Sequence, residues 1–262
     1  MVNFFTRRFC IAWALGLAVA VSAQAQPLQV KPTANARPER VLFVGNSYFY
    51  YNNSLHNHLK HLLEAAMPIE SRRLEYKSAT IGGASLDHHP IEWLTEPGRI
   101  GVTKPFDVVI LAGNSTDALR PQSRGLFRKT VIAFDRTIRS RGGQTALYMT
   151  PAHIAPSRHV SPDNQQKIAD MYRSVGLEIG ARVLPVGLAF AESYKRRPDI
   201  ALHSAIDGSH PSLAGSYLAA CVLAANLYGL DPVGNTYDAN GQISADLALH
   251  LQRVARDIVN PH

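Results

Sequence analysis

FDVVILA, residues 106–112, is an apolar run interrupted only by Asp107. A strand with one wet face alternates apolar and polar residues, whereas a strand covered on both faces stays apolar throughout. The run therefore reads as an interior strand of a parallel sheet. Upstream, RVLFVGN (40–46) has the same character and ends in a turn, and Leu55, Leu59, Leu62 and Leu63 follow at helical spacing. Residues 72–79 form a weaker strand. Downstream, Phe127, Val131, Phe134 and Ile138 share one face of a helix over 122–140, which Gly142-Gly143 stops. TALYMT (145–150) is another strand. Ser161-Pro162 is expected to open a helix, with serine as cap and proline at the first helical position. RVLPV (182–186) is a short strand whose Pro185 marks an edge or a strand end. Residues 212–228 are an apolar helical run. Strand alternating with helix predicts one doubly wound α/β domain with helices on both faces of the sheet. Functional groups in such a domain collect at the carboxyl ends of the strands.

The N-terminus bears on the compartment. MVNFFTRR carries Arg7 and Arg8 and no acid, an apolar run extends from Phe9 to Val21, and Ser22-Ala23-Gln24-Ala25 follows. This is the pattern of a secretory signal peptide over 1–25, cleaved after Ala25. A spanning helix needs roughly 20 apolar residues, more than this run supplies. Arg7-Arg8 also invites a twin-arginine export route, which the flanking residues fit poorly. Residues 26–38, rich in proline and polar groups, are expected to be a flexible lead-in to a domain over 39–262. The protein is thus expected in the periplasm or outside the cell. Cleavage removes two arginines, so the formal charge of +7 falls to +5. Cys221 is then the one cysteine left and has no partner for an intramolecular disulfide; its apolar neighbours mark it as a core thiol. The basic residues are dispersed and not interleaved with aromatics, which argues against a nucleic-acid partner. Stable membrane insertion after cleavage is not expected.

Two short motifs carry chemistry. Gly45-Asn46-Ser47-Tyr48 stands at the end of the first strong strand, just before a helix. A serine there is held on a sharp turn beside helix N–H groups that favour developing negative charge. Capping the helix is the competing use of Ser47. The turn is not the G-x-S-x-G elbow of the ordinary α/β-hydrolases. Far downstream, Asp207-Gly208-Ser209-His210-Pro211 precedes the helix over 212–228. Asp207 can set its carboxylate against one imidazole nitrogen of His210, leaving the other to face a serine. Asp207 as a helix cap is the alternative. Each motif alone is weak, and together they are specific.

The pairing resembles the SGNH/GDSL hydrolases, and most closely a branch that opens on a GNS-Tyr turn and closes on DGxHPS-x-x-G. The resemblance runs from Arg40 to about Gly229. It implies a single flavodoxin-like three-layer αβα domain with a mostly parallel sheet, Ser47 as nucleophile, His210 as base and Asp207 as the acid that orients it. The resemblance further implies an oxyanion hole formed by the Ser47 N–H, the N–H of Gly83 in ATIGGAS (Gly82 is the neighbouring alternative) and the Asn114 side chain. The third block departs from the family: Gly-x-Asn-Asp is usual, and here Asn114 directly follows Gly113. Service as a simple turn residue is the other reading of Asn114.

His56, His58 and His61 lie on one predicted helix, and His88-His89 follow the Gly83 turn, without the spacing of a metal-binding motif. They read as surface or cleft-lining groups, so neither a metal nor another cofactor is expected. His88 and His89, with Trp93, are expected to line the substrate cleft. The function that follows from the resemblance is hydrolysis of an ester, a short acyl group on a carbohydrate or similar polar small molecule, through an acyl-enzyme. Acyl transfer with the same triad and non-catalytic polysaccharide binding are the alternatives.

Overall fold

The computed structural model describes Met1 and residues 37–260. Residues 2–25 of the expected signal peptide (1–25), Cys10 among them, and residues 26–36 of the lead-in lie outside the described residues. β1 (Arg40–Gly45) leads through α1 (Ser47–Tyr50) and α2 (Leu55–Ala66) to β2 (Glu75–Thr80). The short α3 (Ile91–Leu94) precedes β3 (Val108–Leu111), and α4 (Pro121–Ser140) joins it to β4 (Gln144–Tyr148). α5 (Asn164–Ile179), β5 (Arg182–Leu184), α6 (Val186–Arg196), α7 (Leu213–Tyr228) and α8 (Ala245–Val259) complete the order.

All pairings in the five-stranded sheet are parallel, in the order β2-β1-β3-β4-β5. This is the flavodoxin-like order, with a switch point between β1 and β3. Successive residues of a strand point to opposite faces, and both faces here are covered. Val41, Phe43 and Ile110 pack with Leu55, Leu59 and the residues of α7, while Leu42, Val44 and Val109 pack with Val131, Ile138 and Tyr172. That double coverage is why β3 and the Val41–Val44 stretch of β1 are apolar throughout. β2 is an edge strand whose residues are half-buried or exposed, which accounts for its weak signal in the sequence. Charged Glu75 and Lys77 on such an edge discourage pairing with another chain.

α7 lies innermost on its side of the sheet, between α2, α6 and α8. Its small residues let it approach closely: a Cβ on Gly215 would stand 2.2 Å from the Leu202 carbonyl oxygen. Cys221 is fully buried within it, and burial pushes the thiol well above its ordinary pKa. Three helices, α3, α6 and α8, have no counterpart in the sequence reading. α8 turns its apolar face onto α7. The helix expected to open at Ser161-Pro162 begins at Asn164 instead. Ser161 and Pro162 form a turn closed by the Asn164 N–H on the Ser161 carbonyl at 3.1 Å. Among the described residues no helix is long and apolar enough to cross a membrane.

Candidate active site

The strand ends at the switch point are tied together by one buried amide. Asn46 caps α1, its Oδ1 accepting from the Tyr48 N–H at 3.4 Å. Its Nδ2 donates to the Ala84 carbonyl, in the loop after β2, at 3.1 Å and to the Gly113 carbonyl, in the loop after β3, at 3.0 Å. Because Asn46 takes the capping role, Ser47 is the first residue of α1 and its hydroxyl is free for other use. The Ser47 N–H, at the first helical position, has no intrahelical acceptor.

Ser47 Oγ lies 2.8 Å from His210 Nε2, and His210 Nδ1 lies 2.8 Å from Asp207 Oδ2. A carboxylate accepts only, so Nδ1 carries the proton, Nε2 is the acceptor, and the Ser47 hydroxyl donates to it. Asp207 does not cap α7; Ser212 does, accepting from the Gly215 N–H. Asp207 Oδ1 instead accepts from the N–H groups of Ser209 and His210 at 2.8 and 2.9 Å. Partial burial raises the Asp207 pKa, but these three hydrogen bonds and the His210 ring outweigh it and hold the carboxyl below its usual value. Gly208 makes the tight loop possible. It stands at φ +61°, and a Cβ there would meet the Ile154 carbonyl oxygen at 2.1 Å. The Ile154 N–H in turn donates to the Gly208 carbonyl at 2.9 Å.

Gly83 and Asn114 are brought together by a hydrogen bond from Asn114 Nδ2 to the Gly83 carbonyl at 2.8 Å. Gly83 is at φ +71°, in the left-handed region that favours glycine, and Gly82 is not among the positive-φ glycines. Asn114 Oδ1 accepts from the Thr116 N–H at 3.0 Å and from its hydroxyl at 2.9 Å. That turn fixes the amide. One Nδ2 hydrogen goes to Gly83, and an amide carries two. Asn114 is therefore a turn residue with a donor to spare.

The three residues expected to line the cleft differ in their settings. His88 is exposed, and His89 and Trp93 line an open depression of about 770 Å³ walled by Ala133, Phe134 and Thr137 of α4. Ser47, Asp207 and His210 are not among its lining residues. α3 packs along α4, and just after it Arg141 donates to Thr95 Oγ1 at 3.0 Å. Burial lowers the His89 pKa, against the Gly45 carbonyl at the end of β1. His58 likewise is no surface group: it is buried, contacting the Asn52 carbonyl and the Tyr237 hydroxyl. His61 is exposed and pairs with Glu64. Among the described residues no group of three or more His, Cys, Asp or Glu could hold a metal ion.

Several groups around the triad were not found from sequence. Tyr51 stacks on the His210 ring. Buried His153, in the loop after β4, joins Ser157 Oγ at 2.8 Å to Ser209 Oγ at 3.2 Å, and Tyr48 Oη donates to the Ser209 carbonyl at 3.0 Å. Only Tyr48 had a signal, its adjacency to the serine. Asp117 receives the Asn114 N–H at 2.8 Å; burial pushes its carboxyl up to about 6, with Asp87 adding to the shift. The folded protein thus keeps the Asp117 proton between about pH 4 and 6, where the unfolded chain has lost it. Stability falls as pH rises through that window. Asp117→Asn retains an acceptor for the Asn114 N–H and removes this slope. Its stability relative to wild type, from urea unfolding at several pH values, should improve from pH 4 to 6 and level off above. A difference independent of pH would show that Asp117 ionises normally.

No protein-family model matches the sequence, and no curated protein does. Solved structures do resemble it. A DUF4886-family protein from Bacteroides uniformis superposes with a TM-score of 0.63 at 19% identity, over 84% of this chain and 95% of the other. A provisionally assigned SGNH hydrolase from Slackia heliotrinireducens gives 0.55 at 25% identity, over 71% and 96%. A catalytic mutant of an acetylxylan esterase from Geobacillus stearothermophilus gives 0.53 at 18% identity, over 71% and 92%. By its fold, the chain takes its place among the SGNH/GDSL hydrolases.

Proposed function

We propose that the protein is an exported serine esterase that removes a short acyl group from a carbohydrate or similar polar substrate. The observation that carries the reading is the hydrogen-bonded chain from Ser47 Oγ through His210 to Asp207, with both links at 2.8 Å. His210 Nε2 takes the Ser47 proton as Oγ attacks the ester carbonyl. The charge that develops on the carbonyl oxygen is met by the Ser47 and Gly83 N–H groups and by the Asn114 amide. Collapse of the tetrahedral intermediate expels the alcohol, which leaves with the proton from His210. Water, deprotonated by the same imidazole, then releases the acid from Ser47. Asp207 fixes the tautomer and stabilises the imidazolium. The sugar ester is supported by the neighbouring acetylxylan esterases, and the short acyl group by the lack of a long apolar insertion between the motifs.

A fluorophosphonate probe followed by peptide mapping tests the nucleophile. The label should fall on Ser47, and Ser47→Ala should fold normally and lose nitrophenyl acetate turnover. A folded, fully active Ser47→Ala enzyme would exclude the assignment.

Two substitutions at Asn114 test the donor. Its contribution arises mainly in the transition state, so Asn114→Ala should lower kcat about 10²-fold with little change in KM. Asn114→Asp should be worse, since it sets a carboxylate where negative charge develops. An Asp variant with wild-type kinetics would leave Asn114 a turn residue only.

Export is supported by the charge and apolar pattern of residues 1–25. Mass spectrometry of protein purified from its natural host should find Gln26, free or cyclised, at the N-terminus. Retention of Met1 would refute cleavage.

A further inference from the structure

The chain between the nucleophile helix and α2 is strained. Asn52, Asn53 and Ser54 have φ of 51°, 69° and 66°, three consecutive non-glycine residues at positive φ. Such residues cost on the order of 1–3 kcal/mol each and persist only where the surroundings over-determine them. Here the surroundings are on both sides of the turn. Asn52 Nδ2 donates to the Pro211 carbonyl at 2.9 Å and to Ser216 Oγ at 2.8 Å. Pro211 is the residue after His210. The Asn52 carbonyl lies 2.6 Å from His58 Nε2, and His58 Nδ1 lies 2.9 Å from the Tyr237 hydroxyl. A carbonyl accepts only, so Nε2 carries the His58 proton and Nδ1 accepts from Tyr237. Burial favours this neutral form, against the pull of the Asn52 carbonyl. The next residue back, Tyr51, lies flat on His210, with ring centroids 4.2 Å apart and planes 5° from parallel.

We propose that Tyr51 is a positioning residue for His210, pressed onto the imidazole by the tied turn over 52–54. The inference rests on His210 being the base. The two hydrogen bonds of the ring, to Asp207 and Ser47, act in its plane and leave it free to tilt about the line that joins them. A ring stacked at van der Waals distance restrains that tilt. The Tyr51 face that meets His210 is closed to substrate by the same contact.

Steady-state kinetics on nitrophenyl acetate, with thermal unfolding, test this for wild type, Tyr51→Phe, Tyr51→Leu and Asn52→Gly. Tyr51→Leu should lower kcat by about 10- to 100-fold, as small misplacements of a reacting group do, with KM and the unfolding midpoint little changed. Tyr51→Phe keeps the ring and should restore wild-type kcat. Asn52→Gly accepts the positive φ but unties the turn from Pro211, and should lose kcat in the same direction as Tyr51→Leu. Proton NMR of the His210 ring gives a readout independent of turnover: its upfield ring-current shift should persist in Tyr51→Phe and vanish in Tyr51→Leu. Wild-type kcat in Tyr51→Leu, or a rise in KM alone, would overturn the inference while leaving the esterase reading intact. A Phe variant as impaired as the Leu variant would overturn it too, by making the hydroxyl the working group. A wild-type enzyme that takes no label at Ser47 would remove the esterase reading and this inference with it.

Discussion

Asn46 is buried at the point where three loops meet, and it spends every polar atom of its side chain on them. Its oxygen caps α1, and its nitrogen holds one carbonyl from the loop after β2 and one from the loop after β3. Parallel strands offer no direct link between the loops at their carboxyl ends, since each strand is followed by a helix that leads away. A short side chain with one acceptor and two donors, placed at the switch point, supplies that link. Leucine at this position would leave two buried carbonyls unsatisfied at ~1–3 kcal/mol each, and aspartate would face them with charge. The relation of Ser47 to Gly83 and Asn114 depends on this amide before it depends on any of the three.

The histidine arrives from the opposite end of the chain and is fixed by separate means. Gly208 lets the loop double back so that Asp207 can receive two backbone N–H groups and the imidazole together. The loop after β4 presses against it through Ile154, and His153 and Tyr48 hold Ser209 from two sides. Tyr48 stands next to Ser47, so its bond to Ser209 couples the two halves of the candidate site directly. Burial pushes the Tyr48 phenol up to about 12, which keeps it protonated and able to donate.

Elements whose cause is local were legible in the sequence. β1 and β3 announce themselves because strands covered on both faces are almost wholly apolar, and α4 because its core face repeats at helical spacing. Ser47, Asp207 and His210 stood out because the proposed chemistry would need those residue types at strand and helix boundaries. What was missed has its cause elsewhere in the chain. α8 is helical because α7 offers it an apolar surface. Tyr51 and His153 carried no signal and His58 read as a surface or cleft-lining group, since their partners, His210, Ser209 and the Asn52 carbonyl, become neighbours only after folding. Ser161-Pro162 has the composition of a helix start, but the Ser161 carbonyl closes a turn and delays the helix to Asn164.

The irregular third block can be understood from the same geometry. With Asn114 directly after Gly113, the amide begins close to the strand end and has little chain with which to reach. The Thr116 N–H and hydroxyl both hold its oxygen, which points the nitrogen back across the crevice to the Gly83 carbonyl. Asp117 supports the turn from below by accepting the Asn114 N–H, and Gly113 leaves room for it, since a Cβ there would stand 2.8 Å from Asp117 Oδ2. A free asparagine side chain would have to be ordered when charge develops, at a cost in entropy. One already clamped by its oxygen and one of its two hydrogens has lost that freedom during folding. The shorter spacing therefore does not by itself deprive the site of a donor; it exchanges reach for rigidity, and it makes the placement of the Asn114 amide depend on Thr116 and Asp117.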